Sequence, residues 1–170
     1  SELIETKNKI QKNLEDYRFD EAAKNAYQFA WHSYCDWYLE LSKTILFSDD
    51  NYAKAEVKKV SSFVFKQILI LLHPFIPFVT EEIWLKDQFD KNGSDYLMHK
   101  NWVTGEVEKD DSTEQVENII NIISELRSFK NELNVSPGSF IDISLKGIRE
   151  NQKEFINKNE VILKKLGRIN

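Results

Sequence analysis

The 170-residue sequence holds one cysteine, three prolines, five glycines and three histidines. A lone Cys35 closes no internal disulfide, and three scattered histidines build no Cys/His zinc site. No apolar run approaches the ~18 to 20 residues of a membrane span, and the charged start, Ser1-Glu2-Leu3-Ile4-Glu5, does not read as a signal peptide. A reducing, cytoplasmic setting is the expectation. Basic residues number 23 against 28 acidic, a formal net charge of −5, which excludes a uniformly basic nucleic-acid wrapper but leaves room for a local basic face. Hydrophobic residues at 41% and charged residues at 30% fit a globular chain rather than a disordered one.

The missing breakers say most. Every glycine lies at or beyond Gly93 and the first proline is Pro74, so residues 1–73 contain neither. Such a stretch reads as nearly all helix with tight polar turns. A first helix is expected over 2–17 with Leu3, Ile10 and Leu14 inward. A second, over about 20–47, has Asp20 as its N-cap. Its stripe of Ala22, Ala26, Phe29, Ala30, Trp37 and Leu41 is widened by Tyr27, Trp31, Tyr34 and Tyr38. The turn Ser48-Asp49-Asp50-Asn51 caps a third helix, which His73-Pro74-Phe75-Ile76-Pro77 breaks, and a fourth opens near Pro77. Long amphipathic helices with short joints predict a mainly α helical bundle over 1–91.

Residues 92–111 read as an irregular acidic connector. Residues 112–170 read as a small α/β C-terminal appendage: a helix opened at Asp111 or Ser112 and ended by Pro137-Gly138, then a short strand signal in Ile141, Ile143 and Leu145, then helical spacing over 150–166.

Catalytic chemistry is not written in these residues. There is no glycine-rich phosphate loop, no His-Glu-x-x-His and no nucleophile elbow. Cys35 reads as a small core residue in an aromatic helix, His73 as a satisfied buried or capping histidine, and Asp36 with Glu40 as a solvated stripe. Glu81 and Glu82 are adjacent and form no dyad. No catalytic residue and no metal ligand is assigned.

Three segments, in order, carry a resemblance. They are Tyr17-Arg18-Phe19-Asp20-Glu21-Ala22 followed by Phe29-Ala30-Trp31 and Cys35-Asp36-Trp37-Tyr38-Leu39-Glu40; Leu71 through Trp84, with His73-Pro74-Phe75-Ile76-Pro77 at its centre; and Leu126-Arg127-Ser128-Phe129-Lys130-Asn131-Glu132-Leu133-Asn134-Val135-Ser136-Pro137. Together they resemble the anticodon-binding region of class I aminoacyl-tRNA synthetases of the valine, isoleucine and leucine group. The Cys-Asp-Trp-Tyr element looks like the valyl branch. The third segment departs from the family pattern of two arginines three apart, having Arg127 but Lys130. A further match, from Asn159 to Ile169, resembles the stretch leading toward a C-terminal coiled-coil arm.

The resemblance implies a fragment of an ATP-dependent valine–tRNA ligase without its catalytic and editing domains, inactive alone and holding valine tRNA by the anticodon arm. ATP and Mg2+ belong, on this view, to the full-length enzyme, and the missing catalytic domain is a partner in cis. A monomer is expected. The implied tRNA presents adenine in the middle and cytosine at the third anticodon position.

Looped bases are read by stacking on aromatic or guanidinium planes and by hydrogen bonds to their edges, while a few cations hold phosphate. The candidate tRNA-binding residues are Arg18, Phe19, Lys24, Lys12, Arg127 and Lys130. Arg18 stands between an RNA contact and a partner for Glu15 or Glu21, and Phe19 between a base platform and a hydrophobic staple. Arg127 and Lys130 stand between RNA contact and docking onto a catalytic body. Trp31, Trp37, Tyr34 and Tyr38 stand between a base-stacking platform and the core, and the core is expected because they continue the apolar stripe. The competing reading is a helical protein–protein interaction module whose aromatic stripe lies in an exposed groove.

Overall fold

The computed structural model describes residues 2–86, 96–105 and 111–170, with the side chains of 111 and 112 left aside. The chain divides into two compact units, residues 1–108 and 109–170. In the first, α1 (Glu2–Glu15) and α2 (Phe19–Gln28) lie side by side across a three-residue turn. Ile10, Ala22 and Ala26 are essentially sealed from solvent between them, and the small alanines let the two backbones approach closely.

The second helix of the expectation is one continuous run from Phe19 to Leu46, but with three parts. After α2 the chain widens into a π-helical segment, Phe29–Tyr38, before resuming as α3 (Leu39–Leu46). The wide turn is marked by the Leu39 N–H donating to the Tyr34 carbonyl, five residues back. π-Helix is rare and usually a single bulge, so ten residues of it stand out. Tyr34 and Tyr38 stack at 5.5 Å and 15° on the side facing α4 (Asn51–Leu72). There the Tyr34 hydroxyl donates to the Ser61 carbonyl at 3.1 Å and the Tyr38 hydroxyl donates to Val57 at 3.3 Å.

The α4 cap is as expected: Asp50 Oδ1 accepts from the Ala53 N–H at 3.0 Å. At the other end the His-Pro segment is a latch. His73 Nδ1 lies 2.8 Å from the Thr80 hydroxyl, which itself donates to the Ile76 carbonyl at 3.0 Å. Pro77 opens α5 (Pro77–Lys86). Glu81 receives the Leu97 N–H at 3.1 and 3.2 Å on its two oxygens, fixing the 3-10 turn Leu97–His99 against a core of Leu69, Ile70 and Trp84. Residues 96–105, expected as part of an irregular connector, therefore pack within the first unit, and Trp102 and Val103 join its core.

The second unit has α6 (Asp111–Glu132), α7 (Glu150–Lys158) and α8 (Glu160–Gly167). Ile119, Ile123 and Leu163 form its buried apolar positions. The strand expected at Ile141, Ile143 and Leu145 is absent from the described residues. Ile141 makes only an isolated parallel bridge with Ile169, closed by the Asn170 N–H donating to the Ile141 carbonyl at 3.1 Å. The alternating pattern is real, but no neighbouring strand exists to turn it into a ladder. The appendage is thus helical, and the chain as a whole is a mainly α protein.

Three helix ends close without glycine. Tyr17, Asn134 and Arg168 take positive φ of 58°, 53° and 51°. In each, the next residue's N–H reaches back five positions: Arg18 to Asn13 at 2.7 Å, Val135 to Lys130 at 2.9 Å, Ile169 to Lys164 at 3.2 Å. This is the Schellman closure, ordinarily given to glycine. It explains why α6 ends at Glu132 instead of running on to Pro137.

Candidate nucleic-acid interface

The turn between α1 and α2 carries two bare rings. Tyr17 is 81% exposed and Phe19 57%, and they meet edge to face at 6.2 Å. Phe19, not Asp20, is the first residue of α2, and Arg18 occupies the N-cap position with no side-chain cap. Asp20 moves into the first turn beside Glu21, where carboxylates favour the positive end of the helix. Arg18 is exposed and pairs with neither of the acids proposed for it. Glu15 accepts from Gln11 at 2.9 Å and Glu21 pairs with Lys24 at 3.8 Å. Lys12 is exposed in the last turn of α1, its carbonyl receiving the Asp16 N–H. Four acids, Glu15, Asp16, Asp20 and Glu21, border the corner, so its field is mixed rather than broadly positive.

A second pair of rings runs along the same helix. Tyr27 and Trp31 stack with centroids 6.3 Å apart and planes 5° from parallel, with 56% and 53% of their surfaces exposed. His32 meets Tyr27 edge-on at 6.5 Å, and its Nδ1 lies 3.1 Å from the Asp36 carboxylate. Lys24 stands one turn before Tyr27, so a cation and two parallel rings follow one another at three- and four-residue steps. The expectation that Trp31 belongs to the core is overturned. Of the four rings assigned there, Tyr34 is buried, Trp37 and Tyr38 are half-buried, and Trp31 is outside. Cys35 is likewise exposed rather than a core filler. Partial desolvation by its neighbours pushes its thiol pKa up, and Asp36 adds to the effect.

Of the six candidates, the structure gathers Lys12, Arg18 and Phe19 around one turn and puts Lys24 with the stacked pair. Arg127 lies on the exposed side of α6 in the second unit. Lys130 does not share that surface: it is 2% exposed, and its ammonium is turned into the unit. Sequence spacing places Tyr27 in the apolar stripe and favours the core for Trp31, because three- and four-residue steps fit a buried face as well as an exposed one, and it gives no signal for Tyr17. Among the described residues no group of three His, Cys, Asp or Glu side chains can hold a metal ion, and no helix is long and apolar enough to cross a membrane.

Ring faces open to solvent beside an unpaired guanidinium, on a rigid helical bundle, are what the reading of looped RNA by stacking requires. The family profile described as the anticodon-binding domain of tRNA ligase matches residues 1–145. The chain belongs to this family. Among curated proteins it is 73% identical over 169 residues to the valine–tRNA ligase of Pelagibacter ubique (strain HTCC1062), covering 99% of this chain and 19% of that protein. It is 34% identical over 170 residues to the valine–tRNA ligase of Rhizobium meliloti (strain 1021), covering 99% of this chain and 18% of the relative. With that of Legionella pneumophila (strain Lens) the identity is 38% over 174 residues, again covering 99% of this chain and 19% of the relative. The chain thus spans about a fifth of the length of these relatives.

Proposed function

We propose that this chain grips the anticodon arm of valine tRNA as part of a valine–tRNA ligase acting in the cytoplasm as a monomer. Its partners are that tRNA and, in cis, the ligase's catalytic body. Activation of valine with ATP and Mg2+ is the work of that body. Among the described residues no group of three His, Cys, Asp or Glu side chains is placed to hold a metal ion, and the sequence has no glycine-rich phosphate loop.

The observation that carries the reading is the pairing of bare rings with cations on one helix and the turn before it. Unstacked loop bases lie on Trp31 and Tyr27 and on Phe19 and Tyr17, while Arg18, Lys12 and Lys24 meet neighbouring phosphates. Arg127, on the second unit, is a separate candidate for a phosphate contact. Acids around the α1–α2 turn limit nonspecific attraction and can accept from exocyclic base amines. Stacking supplies about 1–3 kcal/mol per base, so a few rings and a few cations suffice on an acidic chain.

The test is a titration of the chain with valine tRNA and with the same tRNA bearing substituted anticodon bases. The reading expects salt-sensitive binding, log affinity falling by ~0.7 per log salt for each single-strand phosphate neutralised. It expects weaker binding of the substituted tRNA. Equal binding of both, or none at any salt, sinks it.

A further inference from the structure

On a helix, residues three apart are surface neighbours, so Arg127 and Lys130 read from sequence as one basic pair. The fold separates them. Lys130 Nζ donates to three backbone carbonyls, Ser139 at 2.9 Å, Gly167 at 2.9 Å and Arg168 at 2.8 Å. An ammonium has three N–H donors, so all are engaged within the unit. Gly167 and Arg168 close α8, where free carbonyls form the negative end of the helix dipole. Ser139 belongs to the turn after α6. One cation therefore joins three segments remote in sequence.

The surroundings are built to the same end. Arg168 Nη1 donates to the Gly138 carbonyl at 2.9 Å, and the Ile141 N–H donates to the Arg168 carbonyl at 3.3 Å. A Cβ on Gly167 would stand 3.0 Å from Leu126 Cδ1, so α8 ends hard against α6. Burial, with Arg168 second, draws the Lys130 pKa below the ordinary lysine value, while three carbonyl dipoles favour the charged form.

We propose that Lys130 is a positioning residue: an internal cation that locks the end of α8 and the 138–141 turn onto α6, holding the backbone that bears Arg127 without itself touching RNA. The link to RNA rests on the function proposed above; the lock does not, and one experiment separates them. Amide exchange and valine tRNA affinity against salt are measured on the whole chain for Lys130→Met, Lys130→Gln and Arg127→Ala. Both Lys130 variants are expected to exchange at least tenfold faster at the Ile141, Ile169 and Asn170 amides, with residues 2–72 unchanged. They weaken tRNA binding while the slope of log affinity against log salt stays at its original value. Loss of helix confined to residues 111–170 is the same result in stronger form. Arg127→Ala is expected to lower the slope by ~0.7. Native protection in both Lys130 variants together with a reduced slope overturns the proposal. An unchanged slope in Arg127→Ala, with the exchange result intact, removes the RNA reading of Arg127 and leaves the lock standing.

Discussion

Tyr17 permits backbone strain and ring chemistry to be separated at one position. Its φ of 58° closes α1 in a left-handed turn, and its ring is 81% exposed, so the side chain gains little from packing. Left-handed backbone costs an L residue about 1–2 kcal/mol. Glycine escapes that cost but gives up about 0.5–1 kcal/mol in unfolded-state freedom. Tyr17→Gly is therefore expected to be more stable than Tyr17→Ala by about 0.5–1 kcal/mol, and because both lack the ring, loss of the Phe19 contact cancels between them. The assay is urea unfolding followed by tryptophan fluorescence. Trp31, Trp37, Trp84 and Trp102 all lie in the first unit, so the signal reports that unit alone. Both variants are expected to lose tRNA affinity equally, by about 1–3 kcal/mol if one base stacks on the ring. If alanine matches or exceeds glycine in stability, the strain argument is wrong. If neither variant changes affinity, Tyr17 is no base platform.

Three further outcomes follow from particular contacts. Asp50→Ala removes the α4 cap, and a loss of about 1 kcal/mol in urea unfolding is expected, with Asp50→Asn retaining most of it. Glu81→Ala strips the Leu97 N–H of a charged acceptor and is expected to cost about 1.5–3 kcal/mol, read as a red shift of Trp84 and Trp102 fluorescence before global unfolding. Tyr34 has its pKa raised above 10.0, chiefly by burial and against the lowering effect of Ser61. A raised folded pKa means the unfolded chain sheds its proton first, so stability is full below pH 10 and falls as pH climbs through the folded value. Urea midpoints from pH 9 to 11.5 should show that fall, reduced in Tyr34→Phe.

How legible the fold was varies with the physics of each element. The helices of the first unit could be read because breakers are silent before Pro74 and because Asp50 and Pro77 mark starts by local chemistry. The ends were harder: Tyr17, Asn134 and Arg168 do glycine's work, so no composition signal announces them. The π segment is invisible because Tyr27 to Trp31 and Tyr34 to Tyr38 keep a four-residue spacing in either kind of helix. For the same reason Trp31 was assigned inward. The strand reading of Ile141 and Ile143 failed because alternation describes a half-buried extended segment and says nothing about a pairing partner. In the candidate site, Arg18 and Phe19 were legible as a cation and a ring beside a helix start. Lys130 was not, since its burial depends on carbonyls of residues 139, 167 and 168 brought to it by tertiary structure.

The central claim is that bare rings on the α1–α2 side of an acidic bundle hold looped RNA. Its most direct measurement is the nuclear magnetic resonance spectrum of the four tryptophan indole N–H groups during addition of the valine tRNA anticodon stem-loop. The account predicts that the Trp31 signal shifts first and furthest, while Trp84, 4% exposed in the core, stays in place. Saturable binding that leaves Trp31 unmoved, with shifts confined to Trp84 or Trp102, contradicts it.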